Sequence, residues 1–107
     1  MDLKIDRSLR DGSWHVALSG EIDIFNSSDL KTQLARLMEE TVADVHVDCE
    51  NLQYIDSTGL GALVGALKNI KSHDKEMHLS NVKPNLLKLF HITNLDKVFI
   101  LKENYHE

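Results

Sequence analysis

The chain has 107 residues, 42% of them hydrophobic, which suffices for one compact core and is too little for two ordinary domains. Twelve basic against seventeen acidic side chains give a formal net charge of −5, and no basic cluster could neutralise a run of phosphates, so no nucleic-acid partner is expected. A single cysteine, Cys49, excludes an internal disulfide, and its place in the alternating run Val45-His46-Val47-Asp48-Cys49 marks it as a small core residue.

The N-terminal stretch alternates charge with apolar residues and lacks the continuous hydrophobic segment of a signal peptide. The apolar run of the central helix stops at Lys68, short of the roughly 20 residues that span a bilayer, so Gly61-x-x-x-Gly65 is not a membrane dimer motif. A cytoplasmic protein with no membrane partner is expected.

Leu3, Ile5 and Leu9 alternate with Lys4, Asp6 and Arg10, as in a half-buried strand. Asp11-Gly12 is a hairpin turn signal, and Trp14, Val16 and Leu18 carry a second strand antiparallel to the first. Gly20-Glu21-Ile22-Asp23 ends it. Asn26, Ser27 and Ser28 are candidate caps for an amphipathic helix with Leu30, Leu34, Leu37 and Met38 on one stripe. Val42, Val45 and Val47 return as a strand, and the intervening helix makes that strand parallel to an earlier one.

A short strand-like run, Leu52, Tyr54 and Ile55, then meets Asp56-Ser57-Thr58, three helix-capping residues, before the helix that begins Gly59-Leu60-Gly61. Leu60, Leu63, Leu67 and Ile70 form its core face, while Gly61, Ala62, Gly65 and Ala66 leave a nearly bare flank. Glycine costs a helix about 1 kcal/mol relative to alanine, so this flank predicts close packing, either within the domain or against a partner. Beyond the loop Lys71–Lys75, Met77 and Leu79 form a strand, and Pro84 opens a helix with Leu86, Leu87, Leu89 and Phe90 that ends near Thr93-Asn94. Val98–Leu101 make a last strand, and Lys102–Glu107 read as a frayed tail. The alternation predicts an α/β fold: a mixed sheet of about four to five strands with about four helices, mainly on one face.

Several chemistries are disfavoured by the residues themselves. The Ser57-Thr58 junction lacks the lysine of a phosphate-binding P-loop, and Gly65 comes one residue late for a dinucleotide fingerprint. Six histidines, His15, His46, His73, His78, His91 and His106, fall in different segments, none with another at the i, i+4 spacing of a helical metal site. No G-x-S-x-G elbow surrounds Ser57, so an esterase-like enzyme using it with a histidine is a weak reading, and no cofactor is expected. Ser57 reads either as a helix cap or as an acceptor of phosphate, whose charge of about −1.5 to −2 a helix N-terminus can accommodate. Physics leaves Ser57 and Thr58 equally eligible.

Taken together, Gly20-Glu21-Ile22-Asp23, Tyr54-Ile55-Asp56-Ser57-Thr58-Gly59-Leu60-Gly61 and Leu89-Phe90 followed by Ile92-Thr93 make the chain resemble the anti-sigma factor antagonists, single STAS domains of bacteria, and most of all those of the general stress response. The similarity runs from about Leu3 to Leu101, and the resemblance implies one STAS domain over residues 1–107. It implies a non-enzymatic, partner-switching protein, monomeric on its own. The unphosphorylated form binds an anti-sigma factor that is also a serine kinase, and sigma factor is released. The kinase then phosphorylates Ser57, and a PP2C-type phosphatase reverses the step. The resemblance selects Ser57 over Thr58 and implies that Asp23 lies near it. The expected partner surface comprises Asp23, Asp56, Ser57, Thr58, Gly59, Gly61, Ala62 and Gly65. A scaffold or sensor STAS domain, binding a small ligand or self-assembling, is the alternative within the same fold. His91 stands where such proteins usually carry an acidic residue, and Asn94 where they usually carry glycine, a position Asn can fill in the left-handed conformation.

Overall fold

The computed structural model describes residues 2–102. The tail expected from Lys102 to Glu107 lies outside these residues, apart from Lys102 itself, as does His106. The element order is β1 (Leu3–Arg10), β2 (Ser13–Ile22), α1 (Ser27–Glu40), β3 (Val45–Ile55), α2 (Ser57–Ser72), β4 (Met77–Ser80), α3 (Pro84–Ile92), a 3-10 turn (Leu95–Lys97) and β5 (Ile100–Lys102). Among the described residues, three α-helices and one 3-10 turn stand where the sequence predicts about four helices. Asn94 takes the left-handed conformation at φ 61° and ends the run after α3, so only three residues continue as a tight turn.

All five strands form one sheet in the order β1-β2-β3-β4-β5, with β1 antiparallel to β2 and each later pair parallel. The hairpin works because Asp11 and Gly12 both hold positive φ, 53° and 78°, as a two-residue turn matched to strand twist requires. Along β2, β3 and β4, Trp14, Val16, Leu18, Val45, Val47, Met77 and Leu79 are buried, and α1 adds Leu30, Leu34, Leu37 and Met38 to the same core. From α2 come Leu60, Leu63, Leu67 and Ile70, and Phe90 of α3 meets Phe99 edge-on with centroids 5.6 Å apart. The opposite face of the sheet carries polar side chains.

β3 departs from the expectation of two separate runs. It is one strand of 11 residues bent by two bulges: Ala17 faces Asp48 but Ser19 faces Asn51, and Gly20 faces Leu52 but Glu21 faces Tyr54. Each bulge adds a residue to β3, so its buried positions pass from Val45, Val47 and Cys49 to Leu52 and Ile55. The period of two becomes three, and the strand still delivers Ile55 inward beside Ile22. Val42, 48% exposed, lies before the strand instead of in it.

Candidate functional site

The paired ends of β2 and β3 set the site. Ile22 and Ile55 are register partners, so Asp23 and Asp56 follow on adjacent parallel strands, and the Asp56 N–H donates to the Ile22 carbonyl at 3.2 Å. Ligands of open parallel sheets gather at such carboxyl ends of strands.

Asp56 is the N-cap of α2. Its Oδ1 accepts from the Gly59 N–H at 3.0 Å and from the Thr58 hydroxyl at 2.6 Å. These two donors, the Thr58 hydroxyl first, hold the Asp56 carboxyl below its ordinary pKa of 3.8. Ser57, the first residue of α2, is exposed, and its hydroxyl makes no hydrogen bond among the described residues. The two hydroxyls that look equivalent in sequence therefore differ: Thr58 is engaged and Ser57 is available.

The neighbouring loop is also ordered by side chains. Asn26 turns its amide back instead of capping α1: its Oδ1 accepts from the Asp23 N–H and its Nδ2 donates to the Glu21 carbonyl, each at 2.9 Å. The Asp23 carboxylate accepts from the Phe25 N–H at 2.9 Å. Phe25 is 89% exposed at the tip of this loop, a feature that sequence reasoning missed.

The small-residue flank of α2 divides. Gly59 is buried, and a Cβ there would lie 2.6 Å from Ile55 Cγ1 and 2.7 Å from Ile22 Cγ2, so it permits the junction to close. Ala62 and Ala66 are buried within the domain. A Cβ at Gly65 would lie 2.7 Å from Lys31 Cε, whose stem roofs that position, whereas Gly61 faces open space. Ser57, Thr58 and Gly61 are thus the exposed members of the expected surface on α2, and a shallow groove lined by Ser28, Lys31, Thr58 and Gly61 runs beside them.

Among the described residues no group of three or more His, Cys, Asp or Glu side chains is placed to hold a metal ion, and no helix is long and apolar enough to cross a membrane. Three histidines do come together. His15, His46 and His78 are register partners across β2, β3 and β4, and their rings stack at 5.3 Å and 4.7 Å. They line the uncovered sheet face, where a depression bounded by Asp6, Arg10, His15, His46 and Asp48 shares no residue with the Ser57 junction. His91 pairs with Asp96 at 2.8 Å at the end of α3.

Comparison with known proteins identifies the family and the fold. The family model described as the STAS domain matches residues 4–107. The anti-sigma-B factor antagonist of Staphylococcus aureus (strain NCTC 8325 / PS 47) is 34% identical over 103 residues, covering 96% of this chain and 95% of that one. Among solved structures, an anti-sigma factor antagonist from Mycobacterium paratuberculosis superposes with a TM-score of 0.82 at 22% identity, covering 94% of this chain and 85% of the other. The Bacillus cell fate determinant SpoIIAA, solved in its phosphorylated form, superposes with a TM-score of 0.74 at 16% identity over 98% of this chain and 93% of its own. The chain belongs to the STAS-domain family of anti-sigma factor antagonists.

Proposed function

We propose that this protein is an anti-sigma factor antagonist whose unphosphorylated form binds an anti-sigma factor that is itself a serine kinase, so that sigma factor is released. The observation that carries the reading is the Ser57 hydroxyl, exposed and free of hydrogen bonds among the described residues at the first position of α2, beside Thr58 whose hydroxyl is held by Asp56. Phosphorylation attaches the γ-phosphoryl group of ATP to Ser57 Oγ, the hydroxyl proton leaving and ADP departing. A PP2C-type phosphatase hydrolyses the ester and restores the hydroxyl.

The physical basis is an asymmetry between monomer and complex. In the monomer a phosphate of charge about −1.5 to −2 faces water and the positive end of a helix, so the fold tolerates it. In a complex the same group is desolvated beside Asp23 and Asp56, and each ~1.4 kcal/mol of that penalty weakens binding tenfold. Support comes from the 34% identical anti-sigma-B factor antagonist and from the existence of SpoIIAA in a phosphorylated form.

The test is incubation with the cognate kinase and ATP, with the modified residue mapped by mass spectrometry and binding followed in parallel. The expected result is a single phosphate on Ser57, and loss of kinase binding in Ser57→Asp with the thermal midpoint nearly unchanged. Phosphate on Thr58 alone, or full binding by Ser57→Asp, overturns the reading.

A further inference from the structure

Phe25 is 89% exposed and Ile24 beside it 66% exposed. Large apolar side chains at a loop tip are ordinarily turned under or replaced by polar ones, because water contact disfavours them. Here the loop backbone is tied down by hydrogen bonds. The Asp23 carbonyl accepts from the Asn26 N–H at 3.2 Å and from the Ser27 N–H at 2.9 Å, and the Asp23 carboxylate accepts from the Phe25 N–H at 2.9 Å. Asn26 closes the loop from the other side through Asp23 N–H and the Glu21 carbonyl. The backbone is thus fixed by the polar residues of Asp23-Ile24-Phe25-Asn26, and the ring is held out into solvent.

We propose that Phe25, with Ile24 at its side, is the apolar anchor by which this chain docks the anti-sigma factor, whose matching surface is an apolar socket rimmed by basic side chains. The inference rests on the function proposed above and names the contact that function uses. Three properties argue for it. An aromatic side chain has only two angles to fix, and this one sits on a hydrogen-bonded loop, so it loses little conformational freedom on binding, which is the character of interface residues that dominate affinity. Its surroundings are mainly acidic, with Asp23 on the same loop, Asp56 on the neighbouring strand end and Asp29 in the first turn of α1 against Lys31 farther along α1. The complementary rim therefore carries basic side chains that pair with these carboxylates and leave a phosphate on Ser57 unpaired. The loop also follows Ile22, the register partner of Ile55, so a protein seated on Phe25 meets the Ser57 end of α2 and feels the charge placed there.

The experiment measures binding of the purified cognate anti-sigma factor to five forms of the full chain: wild type, Ser57→Asp, Phe25→Leu, Phe25→Ala and Ile92→Ala. Ile92, 73% exposed on α3, is the control for a solvent-facing apolar residue outside the proposed contact. Phe25→Ala is expected to weaken binding at least about tenfold, mostly through faster dissociation, with Phe25→Leu in between and Ile92→Ala within about twofold of wild type. All five are expected to unfold at nearly the same temperature, because neither Phe25 nor Ile92 contributes to the core. If Phe25→Ala binds within about twofold of wild type while Ser57→Asp fails to bind, the anchor is wrong and the phospho-switch stands. If wild type itself does not bind, the functional reading fails and the anchor with it. If the ring instead serves a second copy of this chain, wild type sediments as a dimer that Phe25→Ala dissolves without loss of anti-sigma binding, and the proposal is overturned.

Discussion

The Thr58 hydroxyl donates to the Asp56 carboxylate at 2.6 Å, and the Ser57 hydroxyl between the two makes no hydrogen bond among the described residues. The capping carboxylate therefore both starts α2 and sorts two adjacent hydroxyls. Asp56→Ala removes both effects. Its thermal midpoint at pH 7 should fall, and a kinase acting on Ser57 should begin to place a fraction of its phosphate on the freed Thr58, read by mass spectrometry. The native carboxyl titrates below 3.8, so its stabilisation is complete above that value and lost as pH falls through the native pKa. The gap between wild type and Asp56→Ala should accordingly narrow in acid. An unchanged phosphosite distribution would count against the sorting role.

Gly59 and Gly61 sit two residues apart on α2 and should respond in opposite directions. An alanine methyl at Gly59 meets Ile55 at 2.6 Å and Ile22 at 2.7 Å, both buried branched side chains with nowhere to move. Overpacking of this kind costs about 1–3 kcal/mol, and Gly59→Ala should lose that much in urea denaturation. At Gly61 the methyl meets nothing within 4 Å, and the gain in helix propensity should stabilise the protein by up to about 1 kcal/mol. A Gly61→Ala variant that is more stable yet binds the anti-sigma factor less well would place the partner on this side of the helix.

The legible parts of this chain were those governed by local period and turn chemistry. Asp11-Gly12 specified the hairpin, Pro84 the start of α3, and Asn94 supplied the left-handed position that a glycine would fill. The continuity of β3 was hidden because its two bulges change the burial period after Cys49, breaking the alternation that identifies a strand. Phe25 was hidden for a different reason: hydrophobicity alone does not reveal which way a loop points, and the turn is decided by the side chains of Asp23 and Asn26. The histidine stack left a trace that was readable only with the register in hand. Trp14-His15-Val16, Val45-His46-Val47 and Met77-His78-Leu79 are each a histidine between two buried apolar residues, and parallel pairing aligns the three.

Cys49 faces the core from β3 at 2% exposure, and burial, followed by the nearby Asp48 carboxylate, pushes its thiol up to about 12. The thiolate is the reactive form, so native protein at pH 8 should leave a disulfide reagent such as Ellman's unreacted. Addition of guanidinium should release one equivalent. Rapid reaction of the native protein would mean that β3 opens locally around its first bulge.

The stacked histidines make stability depend on pH. His46 is pushed below its ordinary value of 6.5 by burial first, then by His78, Lys102 and His15, with Asp44 opposing. His78 is lowered likewise by burial and then Lys102, against Asp44 and Glu76. Both therefore favour the neutral ring in the fold, whereas the unfolded chain takes up protons below about 6.5. Their contribution is present in full above that value and is lost as pH falls through the native pKa values. Burial disfavours the charged rings first; Lys102 on β5 adds a cation to the same face, and for His46 the His78 ring 4.7 Å away adds repulsion. The thermal midpoint of wild type should drop between pH 7.5 and 5.5, and His46→Gln, which removes the middle charge of the row, should drop less. Equal slopes for the two proteins would show that these rings titrate as freely in the fold as in the unfolded chain.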